Sequence, residues 1–442
     1  MGGIRLRWLC ALAMSCCFVS VAPADDNGVP ADAAGVIAEI RFEGNDVTKD
    51  VILRQELTVA PGDPVDRERI EASRQAIMNL GLFKRVRARL EPLGAAGAEG
   101  VADRQAVVFD VSEKWYILPL PKADQDADGD YSYGFELTWD NFLGYNQRLE
   151  LLHETTERDD GVEEVKKEFA YEIPRIPGTD LGFSAALRRV DTVQEEVDPL
   201  LGSGEYDLQR DDLSWTLSRW LSRSAPSRGW RGSVGSSIFK ENYRYRQGVA
   251  GLLVDRKVVE TWFGATFHDV YELPYHREGS EYGWTLALSA QDFGSDDGYQ
   301  RLDLFHRAYL YPVAWNDDNL NTQLRLGYAR GYDEGIYAYR IGSSKTLRGF
   351  DRDDHEGDVL VLLNLEYMKP ILSRRSLRGV IFADVGNVYE EGAPDLTDLE
   401  LGGGLGLRWK VRSLVRTDLR IDIGWGVGEP DYEVYVGTRQ TF

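Results

Sequence analysis

Thiols are almost absent from this 442-residue chain, whose three cysteines, Cys10, Cys16 and Cys17, all lie near its start. They fall in an apolar run from Trp8 to Val21 that follows Arg5 and Arg7 and ends at Ala22-Pro23-Ala24. That layout predicts a secretory signal peptide over residues 1–24. Its removal leaves no thiol, which excludes disulfides, thiolate metal sites and cysteine nucleophiles. Acylation at Cys16 or Cys17 is the rival reading, but Ala13-Met14-Ser15 lacks the leucine usual three residues before a lipidated cysteine. Beyond the signal, no apolar run approaches the ~20 residues that a membrane-spanning helix needs. Basic residues are in deficit, 51 Lys and Arg against 73 Asp and Glu. No basic cluster along the chain could track nucleic-acid phosphates, so nucleic acid is not an expected partner.

Catalytic and metal signatures are equally scarce. The five histidines are scattered, and His153-Glu154-Thr155-Thr156-Glu157 lacks the second histidine of a zinc protease. Asp124 to Asp130 begins like a calcium loop, but its twelfth position is Phe135 rather than a bidentate Glu. Carboxylate pairs such as Glu163-Glu164 and Asp353-Asp354 read as solvated loop tips in so acidic a chain. Without a Gly-x-Ser-x-Gly elbow there is no fused hydrolase. The expectation is a protein without metal or cofactor that is not an enzyme.

Two textures follow a short linker at 25–35. Residues 36–118 read as a small α+β domain of order β-α-α-β-β. Val36 to Phe42 alternates, Asp46–Glu56 and Asp66–Leu80 have helical spacing, and 86–90 and 106–111 are strand-like on either side of a Gly/Ala-rich turn at 94–100. An acidic linker is expected at 119–130. From 131 to 442, alternating segments of ~10 residues are divided by Gly, Asp, Asn and Pro clusters, as in Tyr282-Trp284-Leu286-Leu288 and Leu419-Ile421-Ile423-Trp425-Val427. Nine of the eleven tryptophans fall here, and Trp139, Trp230 and Trp262 are candidates for interface girdles. Fifteen or sixteen segments can be marked, and the even strand numbers of bacterial barrels favour sixteen. The fold class is therefore mainly β: a transmembrane antiparallel β-barrel behind one small domain. A soluble β-sandwich also alternates, but rarely extends this far without a linker.

The residues then resemble a known family, the outer-membrane assembly and translocation proteins of the BamA, TamA and two-partner-secretion type. Ile40-Arg41-Phe42-Glu43-Gly44-Asn45, Asn79-Leu80-Gly81-Leu82-Phe83 and Phe109-Asp110-Val111 are similar to parts of a POTRA module. Leu347-Arg348-Gly349-Phe350 resembles the family's Arg-Gly-Phe/Tyr motif at the tip of a long loop between strands eleven and twelve. The resemblance implies that this loop enters the lumen and that its arginine meets acidic groups on the barrel wall. The matching positions are Glu366 in Asn364-Leu365-Glu366-Tyr367 and Asp384 in Phe382-Ala383-Asp384-Val385-Gly386. A guanidinium presents a fixed fork of donors suited to carboxylates, and Gly349 permits a sharp turn beside it. Phe442, the terminal aromatic, is expected as the C-terminal strand signal.

The resemblance implies an outer-membrane protein of a Gram-negative bacterium, with its small domain in the periplasm. Its implied role is to assist client polypeptides into or across that membrane, by strand addition at the POTRA edge and at a barrel seam near 131–141 and 431–442. The alternative is a passive channel or structural barrel. Expected partners are a client polypeptide or secreted protein, outer-membrane lipid and a periplasmic chaperone or accessory subunit. One POTRA-like module, where large assembly factors carry several, weakens the case for accessory lipoproteins.

Overall fold

The computed structural model describes residues 35–93, 104–125, 131–158, 161–225, 228–315, 317–332, 338–351, 354–392, 394–415 and 418–437. The expected signal peptide, the turn at 94–100 and Phe442 lie outside the described residues.

The small domain comprises β1 (Val36–Glu43), α1 (Asp50–Arg54), α2 (Arg67–Asn79), β2 (Phe83–Pro92) and β3 (Arg104–Glu113), with strand order β1-β3-β2. Asp66 caps α2 by accepting from the Arg69 N–H, and Gly81 follows the helix at φ +75°. The helical spacing over Asp46–Glu56 yields a helix only from Asp50, because Asn45 turns back with its side chain donating to the Thr48 carbonyl. Ile37, Leu53, Ile70, Ile77, Phe83 and Phe109 are fully buried between sheet and helices. At about 1.5–3 kcal/mol each, they hold the module together.

The second part is one sixteen-stranded antiparallel sheet curled into a barrel. Its first eleven strands are β4 (Ile117–Gln125), β5 (Tyr131–Phe142), β6 (Gln147–Glu157), β7 (Glu163–Ile173), β8 (Leu181–Asp198), β9 (Gly202–Ala225), β10 (Arg228–Gly248), β11 (Arg256–Glu272), β12 (Arg277–Ser289), β13 (Gln300–Leu310) and β14 (Asn319–Arg330). A separate hairpin, β15 (Tyr339–Ile341) with β16 (His355–Gly357), interrupts the order. The sheet resumes with β17 (Val359–Ile371), β18 (Arg374–Tyr389), β19 (Glu400–Lys410), β20 (Asp418–Gly426) and β21 (Tyr432–Gly437). Apolar residues such as Leu187, Leu213, Phe263, Leu405 and Ile421 are exposed on the outer wall. Their neighbours in sequence face the lumen, as period two requires.

Three sequence expectations change. The acidic linker expected at 119–130 is barrel strand as far as Gln125, so the barrel starts at β4 rather than at 131. Pro119 and Pro121 hide this strand, since proline has no N–H to give a ladder; an edge strand needs donors on one side only. The seam consequently lies between β4 and β21. Trp262 does not join a lipid-facing girdle, because it shares the parity opposite to exposed Phe263 and packs over Gly235, where a Cβ would collide with its ring.

Candidate functional site

The long loop between β14 and β17, the eleventh and twelfth barrel strands, is described at residues 331–332, 338–351 and 354–358. Hydrophobic burial directs it inward. Leu347 and Phe350 pack with Tyr339, Ile341, Leu360 and Leu362. The tip is tied by Ser343 N–H donating to the Leu347 carbonyl (3.2 Å), while Gly342 and Gly349 adopt φ of +108° and +93°.

Arg348 is completely buried. Its Nε and Nη2 donate to Asp384 Oδ2 and Oδ1 at 2.6 and 2.9 Å, and its Nη1 donates to Glu366 Oε1 at 2.7 Å. The guanidinium also lies 3.6 Å from the centroid of the Phe382 ring. Glu366 opposes Phe382 and Asn364 opposes Asp384 across β17 and β18, which puts both carboxylates on the lumen face. Ile381, beside this set, is 61% exposed on the outer wall. The structure thus brings Arg348, Gly349, Phe350, Glu366 and Asp384 into one cluster; Phe442 lies outside the described residues.

Sequence reasoning missed half of the cluster. Asp422 on β20 lies 3.4 Å from Arg348, and Arg408 on β19 donates to Asp422 Oδ1 at 2.5 Å and Glu366 Oε1 at 2.6 Å. Arg420 donates to the Ser344 carbonyl (3.1 Å) and sits 3.5 Å from Asp422. Three buried arginines therefore balance three buried carboxylates. Tyr435, on the last strand, accepts from the Gly349 N–H at 3.0 Å. Side chains are excluded where backbone meets backbone: a Cβ on Gly402 would strike the Arg348 carbonyl, and one on Gly426 the Gly349 carbonyl. The usable signal was the alternation in 419–425, which sends Arg420 and Asp422 inward once Ile421 and Ile423 face outward.

Two family models match the chain: the POTRA surface antigen variable number repeat over residues 35–114 and the Omp85 superfamily domain over 273–441. The chain carries an Omp85 domain behind a POTRA domain. Solved Omp85-type structures are similar across 91% of this chain. BamA from Haemophilus ducreyi lacking POTRA domains 1–3 has 16% identity, a TM-score of 0.51 and 84% of its own chain covered. CdiB from Acinetobacter baumannii has 17% identity, TM-score 0.61 and 73% covered. CdiB from Escherichia coli has 14% identity, TM-score 0.64 and 76% covered. With these two domains, the chain resides in the outer membrane with its POTRA domain in the periplasm. The Omp85 domain implies insertion or translocation of client polypeptides there.

The POTRA domain of this Omp85 chain sits on the periplasmic turns of its own barrel. Lys49 N–H donates to the Gly144 carbonyl (3.0 Å), Arg175 to the Gln55 carbonyl and Glu56 (2.9 and 3.0 Å), and Gln75 to the Glu272 carbonyl (3.1 Å). Trp115 N–H donates to the Ser413 carbonyl at 2.7 Å, and Val415 completes the POTRA core. Burial pushes the Tyr116 hydroxyl above its ordinary pKa, so it stays protonated beside Thr48, 3.3 Å away. Trp139, read as a girdle candidate, packs against this same core.

Proposed function

We propose that this protein guides client polypeptides into or across the outer membrane by adding client strands to its own sheet edges. The observation that carries the reading is the seam. Among the described residues no ladder joins β4 to β21, although every other neighbouring pair of barrel strands is hydrogen-bonded. β4 contains Pro119 and Pro121, two positions unable to donate to a second neighbour. An edge left this incomplete leaves backbone groups available to an extended client, with little dependence on client sequence. The POTRA sheet offers β1 and β2 as further edges, since β3 lies between them.

Depletion of the protein followed by quantitative proteomics of the purified outer membrane tests the role. Selective loss of one or a few surface or barrel proteins is expected. Photocrosslinkers at Leu120 and Val434 should then capture the affected client, whereas crosslinkers at Leu304, far along the sheet, should not. An unchanged outer-membrane proteome would instead favour a passive channel or structural barrel.

A further inference from the structure

The outer wall carries a row of cations that is invisible along the chain. Register places His153 opposite Lys167, Lys167 opposite Arg189, Arg189 opposite Asp211, Asp211 opposite Lys240, and Lys240 opposite Lys257. The row crosses six consecutive strands, β6 to β11. All six positions share the parity of exposed Leu151, Phe169, Leu187, Leu213 and Phe263, and so face away from the lumen. One dyad nearer the periplasm, the same strands present Leu151, Phe169, Leu187, Leu213, Ile238 and Val259, an unbroken apolar row. One dyad further out come Thr155, Val165, Asp191, Gln209 and Asn242. The cations therefore stand where apolar wall gives way to polar wall.

Like charges directly opposite each other in a sheet are destabilising, and Lys167–Arg189 and Lys240–Lys257 are both such pairs. The chain has a net charge of −22, so carboxylates are not in short supply. On the lumen face of the same strands they are used: Arg188 meets Asp212 at 3.1 Å, and Arg210 and Arg256 meet Glu241 at 3.1 and 3.2 Å. Within the outward row only Arg189 has a carboxylate, bound by two hydrogen bonds from Arg189 to Asp211 at 2.6 and 3.0 Å, while the next outward arginine, Arg244 nearer the strand ends, is paired with Asp207 at 2.7 Å. Among the described residues no carboxylate pairs with Lys167, Lys240 or Lys257. A wall that repels itself beside an apolar belt needs anions from its surroundings.

We propose that this row binds the phosphate groups of an anionic lipid headgroup, with the lipid's acyl chains lying along the apolar row below. The lysines supply mobile point charges and long stems that can lie on the apolar surface while the ammonium groups reach the phosphate. Gln209, Asn242 and Thr155 add hydrogen-bonding groups next to them.

The test uses the full chain in neutral detergent, measuring retention of phosphatidylglycerol against phosphatidylcholine by native mass spectrometry. Phosphatidylglycerol should be preferred, and the preference should fall as salt rises. Each of Lys167→Gln, Lys240→Gln and Lys257→Gln should lower it about fivefold, the equivalent of about 1 kcal/mol per basic residue at an anionic surface. Asp211→Asn, which frees Arg189, should raise it, a gain that misfolding cannot produce. Equal retention by wild type and all four variants would overturn the proposal. Inorganic phosphate that displaces the lipid, with wild type and variants then equally indifferent to lipid class, would assign a free-anion site and overturn it as well.

Discussion

Replacing Arg348 with alanine would remove the centre of a six-member charge cluster. The residue makes three charge-assisted hydrogen bonds between 2.6 and 2.9 Å to Asp384 and Glu366, and it covers the Phe382 ring. Arg408 and Arg420 would then face three carboxylates that are each at most 2% exposed. Removing one partner from a buried ion pair typically costs about 3–5 kcal/mol, because the remaining charge stays desolvated. Every 1.4 kcal/mol being a factor of about ten, the ratio of docked to undocked loop should fall about a hundredfold or more. Residues 25–442 contain no cysteine, so a single Lys345→Cys reporter near the loop tip can read the change. Its labelling rate by a membrane-impermeant maleimide should rise steeply in Arg348→Ala and less in Arg348→Lys, which keeps the charge but loses the fork. Asp384→Asn, added to Arg348→Ala, should restore part of the protection, since the two changes act on one pair. Equal labelling in all variants, with unchanged heat-modifiability, would refute the view that this cluster holds the loop.

Three further outcomes follow from the same geometry. Gly402→Ala inserts a Cβ against the Arg348 carbonyl, so it should increase proteolysis within 331–358 while leaving the cluster's charges intact. Arg175→Ala removes two hydrogen bonds from the barrel to the Gln55–Glu56 segment and leaves Glu56, 5% exposed, without that cation; about 1–3 kcal/mol of local stability should be lost, read as faster amide exchange in α1 and the segment after it. Asp66→Ala removes the α2 N-cap and should cost about 1 kcal/mol, seen as faster exchange in the first turn of α2 with none in the barrel.

Period two made most of the barrel legible: the alternating runs from Tyr282 to Leu288 and from Leu419 to Trp425 lie within β12 and β20. The Arg-Gly-Phe tip and its two acidic partners were legible through family likeness. What stayed hidden depended on pairing between distant residues. β4 was missed because its prolines read as a linker until its position at a sheet edge was known. Asp422 and Arg408 were missed because nothing local separates a lumen charge that meets the loop from one that meets water. The outward cation row escaped for the same reason, since its members are separated by 14 to 29 residues along the chain and become neighbours only through register.

The bridge between Trp115 and Leu414 has a mechanical consequence. It fastens the base of β4 to the turn between β19 and β20, reinforced by Asp140 N–H donating to the Tyr116 carbonyl at 2.8 Å. Fastened at its base and, among the described residues, without a ladder above, a seam that opens under the proposed mechanism would part as a wedge whose apex stays on the periplasmic side. The widest gap then falls toward the cell exterior, and its size is set by how far up β4 the fastening reaches. Lengthening the segment between Glu113 and Ile117 would move that apex without altering either edge.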